Sequence, residues 1–407
     1  MRDMTKVYIT PKAEASLRGG HPWVFGEEVT SVFGSFENGD IVDVYSQKER
    51  FLGSGFINDN SKIRVRLISR NANDRFDSAF WLRRLRYAIE YRRTVMGKED
   101  FKCCRLIFGE ADSFPGLTVD RFENILVVQC LSLGIDRRKD ILLPALVEIL
   151  RSMGEAIDAV YERNDVKIRE KEGLKQYRDF YRHEGLADDL CGSAEICENG
   201  IKYSVDYING QKTGFFLDQK YNRLAIQKIA RGKKVLDCFT HTGAFALNAA
   251  LAGAASVCAV DISPDALDTA RRNAALNELE GKMEFVCADV FELLSGMYSG
   301  RRPDYDFIIL DPPAFTKSSS TVKNAIRGYR EINLKAMKLL PRGGYLATCS
   351  CSHFMTDELF RKMLHDAAMD AGVSLRQIEA RQQSPDHPIL WNVPETNYLK
   401  FYIFQVI

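Results

Sequence analysis

None of the ten cysteines in this 407-residue chain forms a C-x-x-C pair, and no apolar run approaches the ~20 residues of a membrane span. Charge of one sign is also missing: 56 Lys and Arg meet 55 Asp and Glu, a formal net charge of +1. Each absence excludes something. Cysteines scattered through apolar stretches argue against a zinc site and for a reduced compartment, so no metal is expected. With no apolar leader in Met1-Arg2-Asp3-Met4-Thr5-Lys6, the expected location is cytoplasmic, with no membrane partner. With no net field, any nucleic-acid surface must be local. The chain shows no internal repeat, no low-complexity linker and no complete G-x-G-x-x-G pattern. Its length predicts two or three domains.

Two segments about forty residues apart carry chemistry. Asp311-Pro312-Pro313-Ala314-Phe315 follows the apolar run Phe307 to Leu310, and Thr348-Cys349-Ser350-Cys351-Ser352 follows Tyr345-Leu346-Ala347. A Pro-Pro loop start is ordinary by itself, and free cysteine is usually a small buried hydrophobe. Together they supply what carbon methylation of a pyrimidine needs. Ring carbon C5 of cytosine is a poor nucleophile, and a thiolate adding at C6 makes C5 an enamine carbon, so Asp311 would hold the base edge and a cysteine would activate it. Cys351, nearer the strand's C-terminal end than Cys349, is the preferred nucleophile, and His353 on the same alternating face is a candidate to take the thiol proton.

Upstream, acids recur at strand ends. Val235-Leu236-Asp237 opens a turn through Phe239, Thr240 and Gly243 into a helix, Ser256 to Val260 ends in Asp261, and Met283 to Ala288 ends in Asp289. With Asp311 these acids would share one rim of a parallel sheet, a β/α arrangement suited to a nucleotide-like ligand, although Asp289 would equally serve as a helix N-cap. This order resembles the class I S-adenosylmethionine-dependent methyltransferases. The resemblance implies that Asp237, Phe239, Thr240 and Gly243 face the methionine moiety, that Asp261 and Ile262 face the ribose, that Asp289 and Val290 face the adenine edge, and that Asp311 and Pro312 lie beside the reacting centre. Lys212-Thr213-Gly214-Phe215 offers a Gly for close backbone approach, two donors and an apolar wall, so it joins the cofactor candidates.

The remainder reads as an α/β chain in three pieces. Residues 1–72 form short alternating strands punctuated by Gly39-Asp40 and Gly53-Ser54-Gly55; 73–200 form a small central α/β domain; 201–407 form a Rossmann-like domain opened by a hairpin signal at Asn209-Gly210. Between Lys62 and Arg105, thirteen Lys or Arg face five Asp or Glu. Arg64, Arg66, Arg83, Arg84 and Arg86 are therefore the RNA-contact candidates, with a helix that turns Leu82, Leu85 and Ile89 to one face.

The stretch Gly19-Gly20-His21-Pro22-Trp23-Val24-Phe25, with Gly39 to Val44 and Phe51 to Phe56, resembles a PUA domain, an RNA-binding β-barrel. Glu110 to Asp120, Asn209 to Lys220 and Asp386-His387-Pro388 extend the likeness over essentially the whole chain to the rRNA large-subunit methyltransferase I family. That resemblance implies S-adenosyl-L-methionine as cofactor, large-subunit ribosomal RNA as partner, 5-methylcytosine as product and Cys351 as nucleophile. It leaves the oligomeric state open, a homodimer included. Two rival functions stay on the table: rRNA guanine N-methylation on the same fold, and a non-catalytic RNA-binding assembly factor.

Overall fold

The structure, a computed structural model, describes residues 4–300, 305–316 and 318–407. The chain divides into two compact units, the first built from Met1–Ile196, Val205–Leu217 and Pro385–Thr396 and the second from Cys197–Ser204, Asp218–Ser384 and Asn397–Ile407. The hairpin Ser193–Glu198 and Ile201–Asp206 carries the chain across the division. Its turn is Asn199-Gly200, both residues at positive φ (54° and 79°), as a two-residue turn matched to strand twist requires. The hairpin therefore precedes Asn209-Gly210, where the sequence signal had pointed.

The first unit contains two sheets. Six strands (Trp23–Phe25, Ile63–Ser69, Phe51–Ile57, Ile41–Ser46, Lys6–Ile9, Val29–Phe33, in spatial order) surround a core that includes Val7, Ile9, Leu17, Val42, Val44, Val65 and Leu67. Gly53-Ser54-Gly55 lies inside a strand, not in a turn. A Cβ on Gly55 would stand 2.3 Å from the Arg66 carbonyl, and the register slips between Ser54 and Gly55, so the glycines admit a bulge and a close backbone approach. Five further strands, Cys103–Phe108 to Tyr177–Phe180, form the second sheet; the helix Lys139–Ser152 makes the crossover that lets Ala159–Asn164 run parallel to Ile125–Cys130.

The helix Ser78–Val95 also belongs to the first unit, capped by the Asp77 side chain, which accepts from the Phe80 N–H. Leu85 and Ile89 are buried as the periodicity predicts. Arg92 is buried with them, its guanidinium donating to Asp112 and to the Arg105 carbonyl. One cation of the basic stretch is thus a core residue.

In the second unit a seven-stranded sheet has, counting in chain order, the sequence 3-2-1-4-5-7-6. The five strands Lys234–Cys238, Ser256–Asp261, Met283–Cys287, Phe307–Leu310 and Tyr345–Ser350 are parallel; Lys400–Val406 inserts antiparallel against the last of these. Strand order reverses between Lys234–Cys238 and Phe307–Leu310, and in open α/β sheets ligands bind beyond the carboxyl ends of the strands at such a reversal.

Candidate active site

Asp237 stands at that reversal. It is fully buried, and its Oδ2 accepts from Thr240 Oγ1 (2.5 Å) and from the Ala246 N–H (3.0 Å), tying the turn to the first turn of the helix Ala244–Leu251. Oδ1 is buried with no hydrogen-bond partner among the described residues. Burial pushes the Asp237 carboxyl up to about 7, the Thr240 hydrogen bond opposing and the Asp311 charge adding. An acceptor buried and left open costs stability unless a ligand donor meets it. The turn that follows is strained: Phe239 and His241 sit at φ 64° and 50°, conformations that cluster at ligand sites, and Gly243 at φ 81° starts the helix.

Asp261 is half-buried and doubly oriented. Its Oδ2 accepts from the His241 N–H (2.8 Å) and its Oδ1 from the Ser263 N–H (3.0 Å), so the carboxylate is fixed while each oxygen keeps a further lone pair for a diol. Beside it Ile262 is 66% exposed, an apolar surface unusual at a sheet rim unless something flat covers it. Asp289 is the N-cap of Val290–Ser299, its Oδ1 accepting from the N–H groups of Phe291 and Glu292, while Val290 is buried. The capping role foreseen for Asp289 is therefore present, and it is compatible with a ligand at Oδ2.

The acid-Pro-Pro loop and the cysteine segment meet through two sets of contacts. Asp311 Oδ1 accepts from Gln219 Nε2 at 3.0 Å, Gln219 is itself held by Asn222 (2.6 Å), and the buried Cys349 thiol lies close enough to feel the Asp311 charge. Removal from water, reinforced by the Asp218 charge, pushes the Asp311 carboxyl up to about 7. Phe315 packs on Tyr329 (ring centroids 4.5 Å), and the Tyr329 hydroxyl bonds to Ser350 and Ser352 on either side of Cys351.

The two cysteines differ sharply. Cys349 is fully buried, and burial followed by the Asp311 charge drives its thiol well above its ordinary range. Cys351 lies just past the strand end and is partly exposed. Lys400, paired opposite Ser350 and only 5% exposed, donates from Nζ to the carbonyls of Ser352 (2.7 Å) and Tyr398 (2.8 Å). Burial brings its ammonium down to about 8, with Cys351 and Asp357 pulling the other way. Among the described residues His353 makes no hydrogen bond to either cysteine: its Nδ1 is buried without a partner there, and its ring stands edge-on to Phe354.

Sequence reasoning missed Gln219 and Lys400. Gln219 lay inside the family-like segment Asn209 to Lys220 but was not singled out from it, whereas a lysine opening the apolar strand Lys400–Val406 was a visible anomaly.

Asp237, Phe239, Thr240, Gly243, Asp261, Ile262, Asp289, Val290, Asp311, Pro312 and Cys351 all fall in the second unit, on or just beyond the strand ends. Lys212, Thr213, Gly214 and Phe215 fall in the first. There Thr213 Oγ1 donates to Asp120 Oδ2 (2.6 Å), a carboxylate also gripped twice by Arg105, and the ammonium of Lys212 lies over the Phe216 ring. Gly214, at φ 122°, leaves no room for a Cβ beside the Asp206 carbonyl. Of the RNA candidates, Arg66 is taken by Glu110 and Glu172, and Arg84 donates to the Ile68 carbonyl. Arg64 pairs with exposed Asp59, Arg83 with Asp74, and Arg86 is exposed with no ion pair among the described residues.

The chain matches known proteins. Residues 116–405 match the S-adenosylmethionine-dependent methyltransferase model, and residues 7–70 match a PUA-like domain. A ribosomal RNA large subunit methyltransferase I from Pseudoalteromonas atlantica is 40% identical over 404 residues, 99% of this chain and 100% of that one; another, from Escherichia coli O139:H28, is 40% identical over 395 residues, 97% of each. The chain belongs to the ribosomal RNA large subunit methyltransferase I family. Its cofactor is S-adenosylmethionine. In fold, the methyltransferase is similar to a protein from Streptococcus mutans described as S-adenosylmethionine-dependent (TM-score 0.81, 22% identity, covering 98% of this chain and 100% of that one). It is also similar to a structure complexed with S-adenosylhomocysteine (TM-score 0.83, 21% identity, 98% and 100%). The residues present fit that cofactor: the open Asp237 Oδ1 suits an ammonium, Asp261 a diol, and exposed Ile262 the face of a purine. Among the described residues no helix is long and apolar enough to cross a membrane.

Proposed function

We propose that this methyltransferase forms 5-methylcytosine in large-subunit ribosomal RNA through a covalent cysteine adduct at C6. The observation that carries the reading is the pairing, at neighbouring strand ends, of a carboxyl held near neutrality (Asp311) with a partly exposed thiol (Cys351) beside a buried ammonium (Lys400). Transfer to nitrogen would need no thiol.

Asp237, Asp261 and the turn to Gly243 would hold the cofactor, which would supply an electrophilic methyl group. An unpaired cytosine enters from the RNA, since a base inside a duplex hides its ring carbons. The protonated Asp311 carboxyl donates to N3 and accepts from N4, and Gln219 fixes its orientation. The Cys351 thiolate would add at C6 as N3 takes the Asp311 proton; C5, now nucleophilic, would take the methyl as S-adenosylhomocysteine leaves; a water would take the C5 proton as the thiolate is expelled, and N3 would return its proton to Asp311. Lys400, a buried cation whose charge couples to Cys351, favours the thiolate. The fully buried Cys349, its thiol held protonated, packs beneath Asp311. Exposed Arg83 and Arg86 supply phosphate contacts. The reading carries with it a cytoplasmic location. Nucleoside mass mapping of large-subunit rRNA from cells with and without the gene tests it: one 5-methylcytosine should disappear, and loss of a methylguanine instead would overturn the cytosine assignment.

A further inference from the structure

The first unit displays a feature that the methylation chemistry does not use. Trp391 is 98% exposed, although indole is among the side chains that gain most from burial. It does not hang from a slack segment. The Val393 N–H donates to the Leu390 carbonyl (2.9 Å), closing a turn with Trp391 and Asn392 at its corners. Thr396 Oγ1 braces that turn, accepting from the Leu390 N–H (2.9 Å) and donating to the Val393 carbonyl (2.7 Å).

The loop is also anchored. Asn392 Nδ2 donates to the Gly20 carbonyl (2.6 Å), and Glu395 pairs with His21 (3.3 Å). At its root, Asp386 accepts from the Arg105 N–H and, through its carbonyl, from Arg92 (2.8 Å each), and the Tyr91 hydroxyl reaches the Pro385 carbonyl (3.1 Å). These bonds keep the indole from collapsing onto the surface. An aromatic ring held rigid and outward loses little freedom on binding.

The elements that anchor the loop carry cations and exposed rings. The turn Leu17 to His21 that receives Asn392 also receives the Arg70 guanidinium, on the carbonyls of Leu17 and His21, and exposed Arg18 lies within it. Tyr87, 59% exposed, sits one helical turn before Tyr91 and next to exposed Arg86. Exposed rings among cations fit a single strand of nucleic acid, whose bases stack while its phosphates are neutralised. A protein partner would more often meet an apolar patch with few charges at its centre.

We propose that Trp391 is a stacking platform for an unpaired base of the RNA substrate, held outward by the Pro385–Thr396 loop. The proposal rests on RNA being the substrate, but not on cytosine or on the cysteine chemistry.

The test is binding of the full chain to a single-stranded RNA of about a dozen nucleotides, and to the same RNA annealed to its complement, followed by Trp fluorescence and by titration. Trp391→Ala should weaken single-strand binding about five- to a hundredfold, Trp391→Phe should restore most of it, and S-adenosylmethionine affinity should not move. The part of the emission lost in Trp391→Phe should be the part that single-stranded RNA quenches, with the duplex quenching it far less. If the wild-type chain binds RNA and Trp391→Ala binds it equally well, the platform is refuted, RNA as substrate survives, and the indole passes to a protein partner. If the wild-type chain binds neither RNA, the substrate reading and the platform fall together.

Discussion

Lys400 donates from Nζ to the carbonyl of Ser352 at 2.7 Å, one residue beyond Cys351. The bond holds a buried cation where a thiolate would form. Replacing it with an uncharged side chain of similar length should make the Cys351 thiolate harder to form. In Lys400→Met, alkylation of Cys351 by iodoacetamide near pH 7.5 should slow several-fold, kcat should fall, and the KM for RNA should hold. The ammonium titrates at about 8, so its help is present below that pH and lost above it. An unchanged alkylation rate would confine Lys400 to a structural role.

Cys351→Ser should abolish methylation and keep cofactor and RNA binding, because an alcohol preserves packing but is not a nucleophile near neutral pH. Cys349→Ser should retain substantial activity, its thiol being buried and held protonated. RNA carrying 5-fluorocytosine at the target cannot lose its C5 substituent as a proton, so wild type and Cys349→Ser should give adducts that survive a denaturing gel. Trapping by Cys351→Ser, or near wild-type methylation by it, would falsify carbon methylation through Cys351 and favour guanine N-methylation.

Asp237 is expected to trade stability for binding. Its carboxyl rises from an ordinary 3.8 to about 7, so between those values the folded state binds the extra proton and stability falls as pH rises. A rise of that size caps the effect at about 4 kcal/mol. Asp237→Asn should therefore melt a few degrees higher at pH 8, with little change at pH 4, while losing about tenfold or more in S-adenosylmethionine affinity. A lower melting temperature at pH 8 would contradict the assignment of Asp237 as a strained acceptor.

Removing the fixed carboxylate of Asp261 should cost roughly 1.5–3 kcal/mol of cofactor binding, about ten- to a hundredfold. Calorimetry on Asp261→Ala reads this directly, and an unchanged affinity removes Asp261 from the diol.

Arg83→Glu with Arg86→Glu should weaken RNA binding, the more so at low salt, and leave cofactor affinity intact. Arg66→Glu should instead lower the melting temperature, since Arg66 serves two carboxylates inside its own unit. Equal RNA affinity for the exposed pair and wild type would make that helix merely solvated.

By itself the sequence determined the order of the sheet's acids, because hydrophobic runs with acids at their ends are local patterns: Asp237, Asp261, Asp289 and Asp311 stand where those runs implied. It likewise determined that a cysteine would sit beside Asp311, since the two strands that carry them are neighbours in any such parallel order. It could not find that Asp112, beyond the helix and the next strand, would take the Arg92 guanidinium into the core, because that pairing is made only on folding. Nor could it find that Gln219 would orient Asp311 across 92 residues, or that Lys400 would enter from an antiparallel strand to lie beside Cys351. Burial and long-range pairing set the charge state of each group, and neither is a property of neighbours in the chain. The tertiary structure therefore decided which thiol stays protonated and which stands at the rim beside a cation.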